Sequence, residues 1–306
     1  MAVRVERAPG EASGGGCACT GGAGGFCRGA HPTATLGAMS WAKTREWADR
    51  LHPAGLLYST YEQRLRAELD PARLPGHVAV LADGNRRWAR LNAPGQPLVV
   101  GYQAGADKLK HFVQWCDEAG IGTVTLWVLS TENLTRSEDA EVLPLLGVIV
   151  GLVEELAATG RWRVKPVGDL SLLPDTMAAS LRAAQEATAS VEGMRVNVAV
   201  AYGGRHELRD AVRSLLAKEA ARGTSLGDLA QTLEIDDIAE HLYTAGQPDP
   251  DLIIRTSGEQ RLSGFLMWQS AHSEFYFCEA LWPDFRRVDF LRALRSYGNR
   301  ERRYGR

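Results

Sequence analysis

The 306-residue sequence lacks the features that mark membrane, secreted and nucleic-acid-binding proteins. It has no run of 18 apolar residues, which excludes an ordinary membrane-spanning helix. Its formal net charge of −2 argues against a nucleic-acid partner, since a net basic domain is typical of such proteins. The amino terminus also lacks the continuous apolar segment of a secretory signal.

Cysteine is scarce and unevenly placed. Three of the five cysteines lie in residues 1–38, together with ten of the 32 glycines. The odd count argues against a disulfide framework and favours a reducing, cytoplasmic location. We interpret residues 1–38 as a disordered leader before a natural start at Met39. A metal site in this leader is the alternative, although the spacing of its possible ligands matches no zinc-binding pattern. Those ligands are Cys17, Cys19, Cys27 and His31.

After the leader, the pattern predicts N-terminal helices over residues 39–75 and a single α/β domain over 76–306. Short apolar runs alternate with segments of helical period, which predicts a mainly parallel central sheet flanked by helices. Pro166 indicates that the third strand lies at an edge or bulge. The predicted strands are 77–82, 123–129, 162–168, 194–202, 251–256 and 275–277. The predicted helices are 103–118, 138–158, 174–190, 206–222, 235–243 and a last one from 287.

Four polar strings follow predicted strands. Because ligands of such sheets bind beyond the carboxyl ends of the strands, we expect the four strings to meet at one edge. They are ADGNRRWAR (82–90), STENLTR (130–136), YGGRHE (202–207) and RTSGEQRLSG (255–264).

Arginine and glycine dominate these strings, which favours an anionic ligand. The planar guanidinium suits diphosphate oxygens, and glycine lets the backbone approach them. Asp83 is either a salt-bridge partner or a Mg²⁺ ligand, since Mg²⁺ is commonly held by one or two carboxylates with substrate phosphates. The nucleotide-binding glycine motifs are absent. The charged residues expected at this edge are Asp83, Arg86, Arg87, Arg136, Arg255 and Arg261.

Five motifs in order resemble those of the cis-prenyltransferases, the undecaprenyl diphosphate synthase family. They are HVAVLADGNRRWA (77–89), GYQAG (101–105), STENLTR (130–136), VNVAVAYGGRHEL (196–208) and DLIIRTSGEQRLSGFLMWQSAHSEFYF (251–277). The resemblance covers about residues 75–306 and implies a homodimeric α/β fold with an apolar tunnel beneath the diphosphate sites. The chain is most similar to short-chain actinobacterial members. That similarity implies condensation of isopentenyl diphosphate with geranyl diphosphate to give Z,E-farnesyl diphosphate and release diphosphate.

The resemblance also implies residue roles. Asp83 and Glu274 match carboxylates associated with Mg²⁺, and Asp83 and Asn133 match catalytic positions. Because an amide is a very weak base, we interpret Asn133 as positioning or relaying, with a diphosphate oxygen as the final base. The other matching positions are implied to bind substrate. They are Gly84, Asn85, Arg86, Arg87, Trp88, Tyr102, Ser130, Thr131, Glu132, Leu134, Arg136, Arg255, Arg261, Leu262 and Ser263.

Three positions depart from the family pattern. Tyr102, Leu98 and Leu134 replace the family's usual histidine, arginine and tryptophan. Val128 stands where long-chain members often have alanine, so its bulk would limit the product if it faces the tunnel. The alternative for Val128 is routine core packing.

The basic carboxyl terminus carries a further resemblance. RRYGR (302–306) matches a terminal family element that resembles a tail reaching the partner subunit's diphosphate site. A solvated basic helix end and peripheral contact with anionic lipid are the alternatives.

Three other functions are compatible with parts of this pattern. They are a longer-chain polyprenyl diphosphate synthase, a non-catalytic partner subunit of a heteromeric prenyltransferase, and an unrelated phosphate-ester hydrolase. The matching metal and diphosphate ligands favour an enzyme over a partner subunit. A hydrolase would need a nucleophile or general base, and none is evident.

Overall fold

The computed structural model describes residues 53–136 and 139–300, and the side chains of 58–134 and 141–300. The six strands are β1 (His77–Leu81), β2 (Thr123–Trp127), β3 (Arg163–Val167), β4 (Arg195–Ala199), β5 (Leu252–Arg255) and β6 (Glu274–Phe277). They form one sheet in the order β3-β4-β2-β1-β5-β6, and every pairing within it is parallel. The predicted α/β class and parallel sheet are confirmed.

The central strands are buried on both sides. All five residues of β1 and all four of β5 are buried, as is typical of parallel strands covered by helices on two faces. Leu81 at the end of β1 lies level with Trp127 of β2 and Arg255 of β5. The carboxyl ends of these three strands are therefore at one height. β3 lies at an edge of the sheet, which confirms the interpretation of Pro166.

Ten helices accompany the sheet in the described part of the chain. They are α1 (Pro53–Ala67), α2 (Asn85–Asn92), α3 (Val99–Glu118), α4 (Thr131–Arg136), α5 (Asp139–Ala158), α6 (Asp175–Ala187), α7 (Gly204–Arg222), α8 (Leu226–Thr232), α9 (Ile235–Ala239) and α10 (Arg287–Gly298). Short 3₁₀ turns occur at Pro71–Arg73, Leu170–Leu172, Gln269–His272 and Trp282–Asp284. None of these helices is long and apolar enough to cross a membrane. The predicted helices correspond to α3, α5, α6, α7, α9 and α10, whereas α2, α4 and α8 were not predicted.

The core lies on both faces of the sheet. Alternate strand residues point to opposite faces, so Val78 and Val80 join a large apolar cluster while Ala79 and Leu81 join a smaller one. The large cluster includes the residues of α3 that the sequence places at helical spacing. These are Leu109, Phe112, Val113 and Cys116, all buried.

Candidate active site

The carboxyl ends of four neighbouring strands meet at one edge of the sheet. Asp83 follows β1, and Arg255 is the last residue of β5. Ser130 and Tyr202 follow β2 and β4, and a parallel bridge between them extends that strand pairing. The polar strings that follow these strands therefore start from a common edge.

The amino end of α2 is shaped to accept an anion. Gly84 is its N-cap, with a φ of 109°, and it offers no side chain to the first-turn amides. A Cβ on Gly84 would lie 2.9 Å from Leu281 Cδ2, so both the conformation and the space require glycine. Backbone N–H groups and the macrodipole at a helix amino end attract phosphate groups. This end of α2 can therefore bind a diphosphate.

Two glycines of the GYQAG motif bring α3 against α2. A Cβ on Gly101 would overlap the backbone oxygen of Asn85, and one on Gly105 would overlap its side-chain oxygen. Asn85 Nδ2 donates to the Ala82 carbonyl at 3.1 Å, while the buried Oδ1 has no hydrogen-bond partner in the described part of the chain. The close approach of α2 and α3 thus depends on both glycines.

Arg255 is the buried cation of the site. Its side chain is only 5% exposed, and Nη2 donates to Asp83 Oδ2 at 3.0 Å. Nη1 donates to Ser263 Oγ at 2.9 Å and also to the Arg261 carbonyl. Charge-assisted hydrogen bonds of this kind offset the cost of burying a guanidinium. Arg255 therefore joins the end of β1 to the loop that carries Arg261 and Ser263.

Thr256 positions Asp83 and was not predicted as a site residue. It is fully buried, and its hydroxyl accepts a hydrogen bond from Asp83 N at 3.0 Å. The same hydroxyl donates to the Asp83 carbonyl at 2.8 Å. The role of Thr256 follows from strand register, which pairs Leu81 with Arg255 and which the sequence alone does not provide.

The loop after β5 has an unusual backbone. Ser257 and Ser263 have φ values of 74° and 51°, a left-handed conformation that L-residues with side chains seldom adopt. Such residues cluster at functional sites, where the surrounding structure enforces them. Arg261 extends from this loop with its side chain 70% exposed and pairs with Glu259 at 3.1 Å.

A second ionic group links α2, α3 and α5. Arg86 Nε donates to the Tyr102 hydroxyl at 2.8 Å and lies 2.7 Å from Glu141 Oε1. The Tyr102 hydroxyl donates in turn to that carboxylate oxygen. Burial and the hydrogen bond to Glu141 raise the pKa of Tyr102 to about 12, so the hydroxyl keeps its proton at neutral pH. Sequence analysis missed Glu141, which lies 39 positions after Tyr102 and outside every motif.

In the segment after β2, some residues line the site and others are buried in the interior. Ser130 Oγ accepts a hydrogen bond from Asn133 N at 3.0 Å and so holds the first turn of α4. Thr131 is buried, with its hydroxyl 3.3 Å from His206 Nδ1, and a Cβ on Gly203 would lie 2.5 Å from the Thr131 hydroxyl oxygen. Ser130 and Asn133 therefore face the site, whereas Thr131 fixes α4 against the start of α7.

These elements enclose a cavity of about 670 Å³ that has a polar mouth and an apolar interior. The mouth brings together many of the predicted site residues. It is formed by Asp83, Gly84, Asn85, Arg86, Arg87, Arg90, Tyr102, Ser130, Glu132, Asn133, Arg255, Arg261 and Ser263. Arg90 is an addition that sequence analysis missed. The apolar interior is formed by Leu81, Ala82, Gly105, Ala106, Leu109, Trp127, Val128, Leu129, Leu145, Val148, Ile149 and Leu152.

Four predicted substrate-binding residues do not line this cavity. Thr131 is buried elsewhere, as described above. Trp88 Nε1 donates to Asp284 Oδ1 at 2.8 Å, which ties α2 to the turn before α10. Leu134 packs against the larger apolar cluster, and Leu262 packs against the smaller one. Their role in substrate binding stays a prediction, and in this structure they pack around the site.

Glu274 lies at the opposite end of the sheet from Asp83 in the same chain, and its role as a second Mg²⁺-associated carboxylate stays a prediction. Glu274 begins β6 and is level with Leu252 of β5, which is level with Val78 of β1. Asp83 comes five positions after Val78, which is about 16 Å along the strand direction at ~3.3 Å per residue. Glu274 instead pairs with Arg300.

Several predictions fall on residues that the structure does not describe. They concern the leader over 1–38, the first part of the helices predicted over 39–75, the Arg136 side chain and the terminal element 302–306. These stay predictions.

Comparisons with known proteins place this chain. The family model described as "Putative undecaprenyl diphosphate synthase" matches residues 81–305. A (2Z,6E)-farnesyl diphosphate synthase of Thermobifida fusca is 58% identical over 249 residues, which are 81% of this chain and 97% of that protein. Another protein with that name, from Mycobacterium tuberculosis, is 54% identical over 253 residues, 82% of this chain and 96% of that one. "Isoprenyl transferase 1" of Streptomyces avermitilis is 56% identical over 250 residues, again 82% of this chain and 96% of the relative.

A solved structure shares the fold. It is lavandulyl diphosphate synthase from Lavandula x intermedia in complex with dimethylallyl diphosphate, with a TM-score of 0.70 and 34% identity. The match covers 77% of this chain and 100% of that one. Fold, site and relatives together define a prenyltransferase. The chain belongs to the undecaprenyl diphosphate synthase family, which confirms the resemblance found in its motifs.

Proposed function

We propose that this protein condenses isopentenyl diphosphate with geranyl diphosphate to form (2Z,6E)-farnesyl diphosphate and diphosphate. The observation that carries this proposal is the cavity, which joins a mouth rich in arginine to an apolar interior. A prenyl diphosphate has the same two parts. The names of the actinobacterial relatives support the short-chain product.

The reaction breaks the bond between C1 of the allylic substrate and its diphosphate. The π electrons of isopentenyl diphosphate form the new carbon–carbon bond to C1, and the loss of a proton from the adjacent carbon creates the Z double bond. We assign the allylic diphosphate to the amino end of α2 with Arg86 and Arg87. We assign isopentenyl diphosphate to Arg255, Arg261 and Ser263. Arg255 donates hydrogen bonds to the Arg261 carbonyl and to Ser263 Oγ and so keeps the three residues together. These cations stabilise the charge that grows on the departing diphosphate.

Asn133 positions the reacting carbons in this proposal. Its backbone N–H is already bonded to Ser130 Oγ, and its side chain lies at the cavity mouth. Because a neutral amide is a very weak base, the released proton goes to an oxygen of the departing diphosphate.

The mouth fits Mg²⁺ that binds together with substrate. No group of three or more acidic, histidine or cysteine side chains that could hold a metal occurs in the described part of the chain. Asp83 supplies a single carboxylate, whose Oδ2 accepts a hydrogen bond from Arg255 Nη2. Mg²⁺ commonly takes one or two carboxylates with substrate phosphates, so Asp83 would hold it beside the diphosphate. The bound ion would supply positive charge to the leaving group.

The depth of the cavity supports a short product. On α3 its lining runs from Tyr102 to Leu109, and on α5 from Leu145 to Leu152, about 10 Å along each helix at ~1.5 Å per residue. One turn farther along α3, Phe112 is fully buried and does not line the cavity. The space therefore ends after a short prenyl chain, which favours a short-chain over a polyprenyl synthase.

We also propose a homodimer, with the carboxyl-terminal tail reaching the partner's site. Val212 and Leu216, one turn apart on α7, are 41% and 39% exposed, which suits a contact with a second copy. Sedimentation analysis at micromolar concentration tests this, because a monomer would exclude both parts of this proposal. Peripheral contact with anionic lipid is tested separately by flotation with anionic vesicles.

The test of the proposed function is elongation with radiolabelled isopentenyl diphosphate, Mg²⁺ and allylic primers of five, ten and fifteen carbons. We expect a fifteen-carbon product from the ten-carbon primer. No product would indicate a non-catalytic subunit, a much longer product a polyprenyl synthase, and free phosphate a hydrolase. Asp83→Ala should lower turnover by about 10³-fold, since charge stabilisers at reacting centres contribute about 10²–10³-fold or more. An Asp83→Ala enzyme with near wild-type turnover would refute the mechanism.

A further inference from the structure

Glu141 is a carboxylate that is paired with Arg86, an arginine of the α2 segment assigned to the allylic diphosphate. Arg86 and Tyr102 line the cavity, and both contact the same oxygen of Glu141. Glu141 itself lies outside the cavity lining, in the first turn of α5. The Glu141 carboxylate is thus paired with Arg86 at the position to which we assign the allylic diphosphate.

We propose that Glu141 is an internal counter-anion for Arg86, which the allylic diphosphate replaces when it binds. The inference rests on the proposed function, because it takes that diphosphate as the ligand of Arg86. Glu141 acts through Arg86 and is therefore a positioning residue.

The strength of the ion pair allows this exchange. The Arg86 side chain is 41% exposed and that of Glu141 is 25% exposed, so water screens their attraction. A diphosphate carries more negative charge than a carboxylate and offers several oxygens to the planar guanidinium. The incoming ligand therefore outcompetes Glu141 without a large loss of affinity.

Tyr102 keeps the pair in place before the ligand arrives. Its hydroxyl accepts a hydrogen bond from Arg86 and donates its single proton to Glu141. The raised pKa of Tyr102 keeps that proton available. Once Glu141 is displaced, the same O–H can donate to a phosphate oxygen, so no buried donor is left without a partner.

The direction of the mutational effect separates this role from a structural one. If Glu141 competes with the ligand for Arg86, removing its charge tightens diphosphate binding. If Glu141 only supports the shape of the mouth, removing its charge weakens binding or leaves it unchanged.

The experiment is calorimetric titration of inorganic pyrophosphate, with Mg²⁺ and excess isopentenyl diphosphate to fill the second diphosphate site. For Glu141→Gln we expect a Kd about three- to tenfold lower than for the wild type, the range of one partly exposed ion pair. Glu154→Gln is the matched control, because it removes one charge from an exposed position on the same helix. Its Kd should stay within about twofold of the wild type.

A second variant and a kinetic measurement complete the test. Glu141→Asp keeps the charge but withdraws it by one methylene, so its Kd should fall between those of the wild type and Glu141→Gln. In turnover, the KM for geranyl diphosphate should fall in Glu141→Gln, whereas the KM for isopentenyl diphosphate should not change. Unchanged or weaker pyrophosphate binding in both variants, or no binding by the wild type, would overturn the inference. A wild type that binds pyrophosphate but elongates no primer would instead refute the proposed function.

Discussion

The two faces of the sheet are made by the same strands but bury different chemistry. Toward α3 and α5, β1 contributes Val78 and Val80 to a large apolar cluster that continues into the cavity. On the opposite face, His77 of β1 lies with Thr125 of β2 and Asn197 of β4, and all three are buried. The first face therefore forms most of the apolar wall of the cavity, whereas the opposite face combines the smaller apolar cluster with buried polar side chains.

The polar side chains on the opposite face form one hydrogen-bonded network. The His77 ring donates from Nδ1 to the Pro248 carbonyl at 2.8 Å, and its Nε2 accepts from the Thr125 hydroxyl at 2.9 Å. Asn197 Nδ2 donates to Thr125 Oγ1 at 3.1 Å and to Gln247 Oε1 at 2.7 Å. The network ties three strands to the loop before β5.

The contrast shows where the molecule tolerates change. An apolar wall beside an existing cavity can lose volume at moderate cost, because the space it adds is continuous with space already present. A buried polar network loses far more when one partner is removed, since the others stay buried without a hydrogen bond. We therefore expect changes on the cavity face to alter the product, and changes on the network face to alter stability.

The largest expected effect is that of Asn197→Leu. It keeps the approximate size of the side chain but removes the hydrogen bonds of Asn197 to Thr125 and Gln247, so the free energy of unfolding should fall by about 3 kcal/mol. Chemical denaturation followed by circular dichroism measures this change. The exposed Asn299→Leu is the matched control and should stay within about 0.5 kcal/mol. If Asn197→Leu unfolded at the same denaturant concentration as the wild type, the network would not stabilise the protein.

Leu152→Ala, on the cavity face, should come next. Leu152 is 3% exposed and lines the deep end of the cavity, so we expect a loss of about 2 kcal/mol in the free energy of unfolding. The deeper cavity should also add longer products, measured by chromatography of the dephosphorylated prenols. Leu181→Ala is the control, because Leu181 is equally buried but does not line the cavity. Leu181→Ala should destabilise the protein without lengthening the product. A longer product from Leu181→Ala would show that product length does not depend on the cavity wall alone.

The pH dependence of stability should show a smaller effect. Burial lowers the pKa of His77 below its usual value of 6.5, so the folded protein resists protonation that the unfolded chain accepts. Stability from neutral His77 is complete above pH 6.5 and is lost as the pH falls toward the lower folded pKa.

This pH effect can be isolated by mutation. Between pH 6.5 and 5.5 the wild type should lose about 1 kcal/mol more than His77→Gln, since one titrating group contributes at most ~1.4 kcal/mol per pH unit. His272→Gln, at an exposed position, should follow the wild type. Parallel curves for the wild type and His77→Gln would show that His77 does not titrate as proposed.

Val128→Ala should have the smallest effect on stability, about 0.5–1 kcal/mol, because Val128 is only partly buried. Its side chain lines the cavity just after β2, so its truncation should still lengthen some products in the elongation assay. Val164→Ala in β3 is the control, since Val164 is fully buried away from the cavity. An unchanged product from Val128→Ala would favour the interpretation of Val128 as core packing.

Much of the sheet could be predicted because parallel strands leave a strong signal. Their apolar runs are continuous, and Pro166, which lacks an amide hydrogen, indicated an edge or a bulge at the strand that lies at the edge. The helix α2 was missed because its eight residues carry three arginines and follow a glycine, a composition that is also typical of a loop. Its start depends on the positive φ of Gly84 and the contact with Leu281, which is distant in sequence.

The sequence predicts the charged site residues that lie in motifs. It does not predict the residues that only the fold brings next to them. Asp83 and Arg255 follow strand ends and were expected together. Glu141 lies outside every motif, and Thr256 lies inside one that does not reveal its role; packing and register bring them to the site. The role of Glu274 stays a prediction, because a motif match does not show at which end of its strand a residue lies.

The contact between α2 and α3 has a consequence for how chain length is set. Gly101 and Gly105 hold α3 at Asn85, and Leu109, one turn past Gly105, lies at the deep end of the cavity. The same pair of helices therefore positions the diphosphate and limits the space available to the prenyl chain. The two glycines therefore fix the distance between the diphosphate site and the deep end of the cavity. A larger residue at either glycine would move α3 relative to Asn85 of α2, and this distance, and with it the chain length of the product, would change.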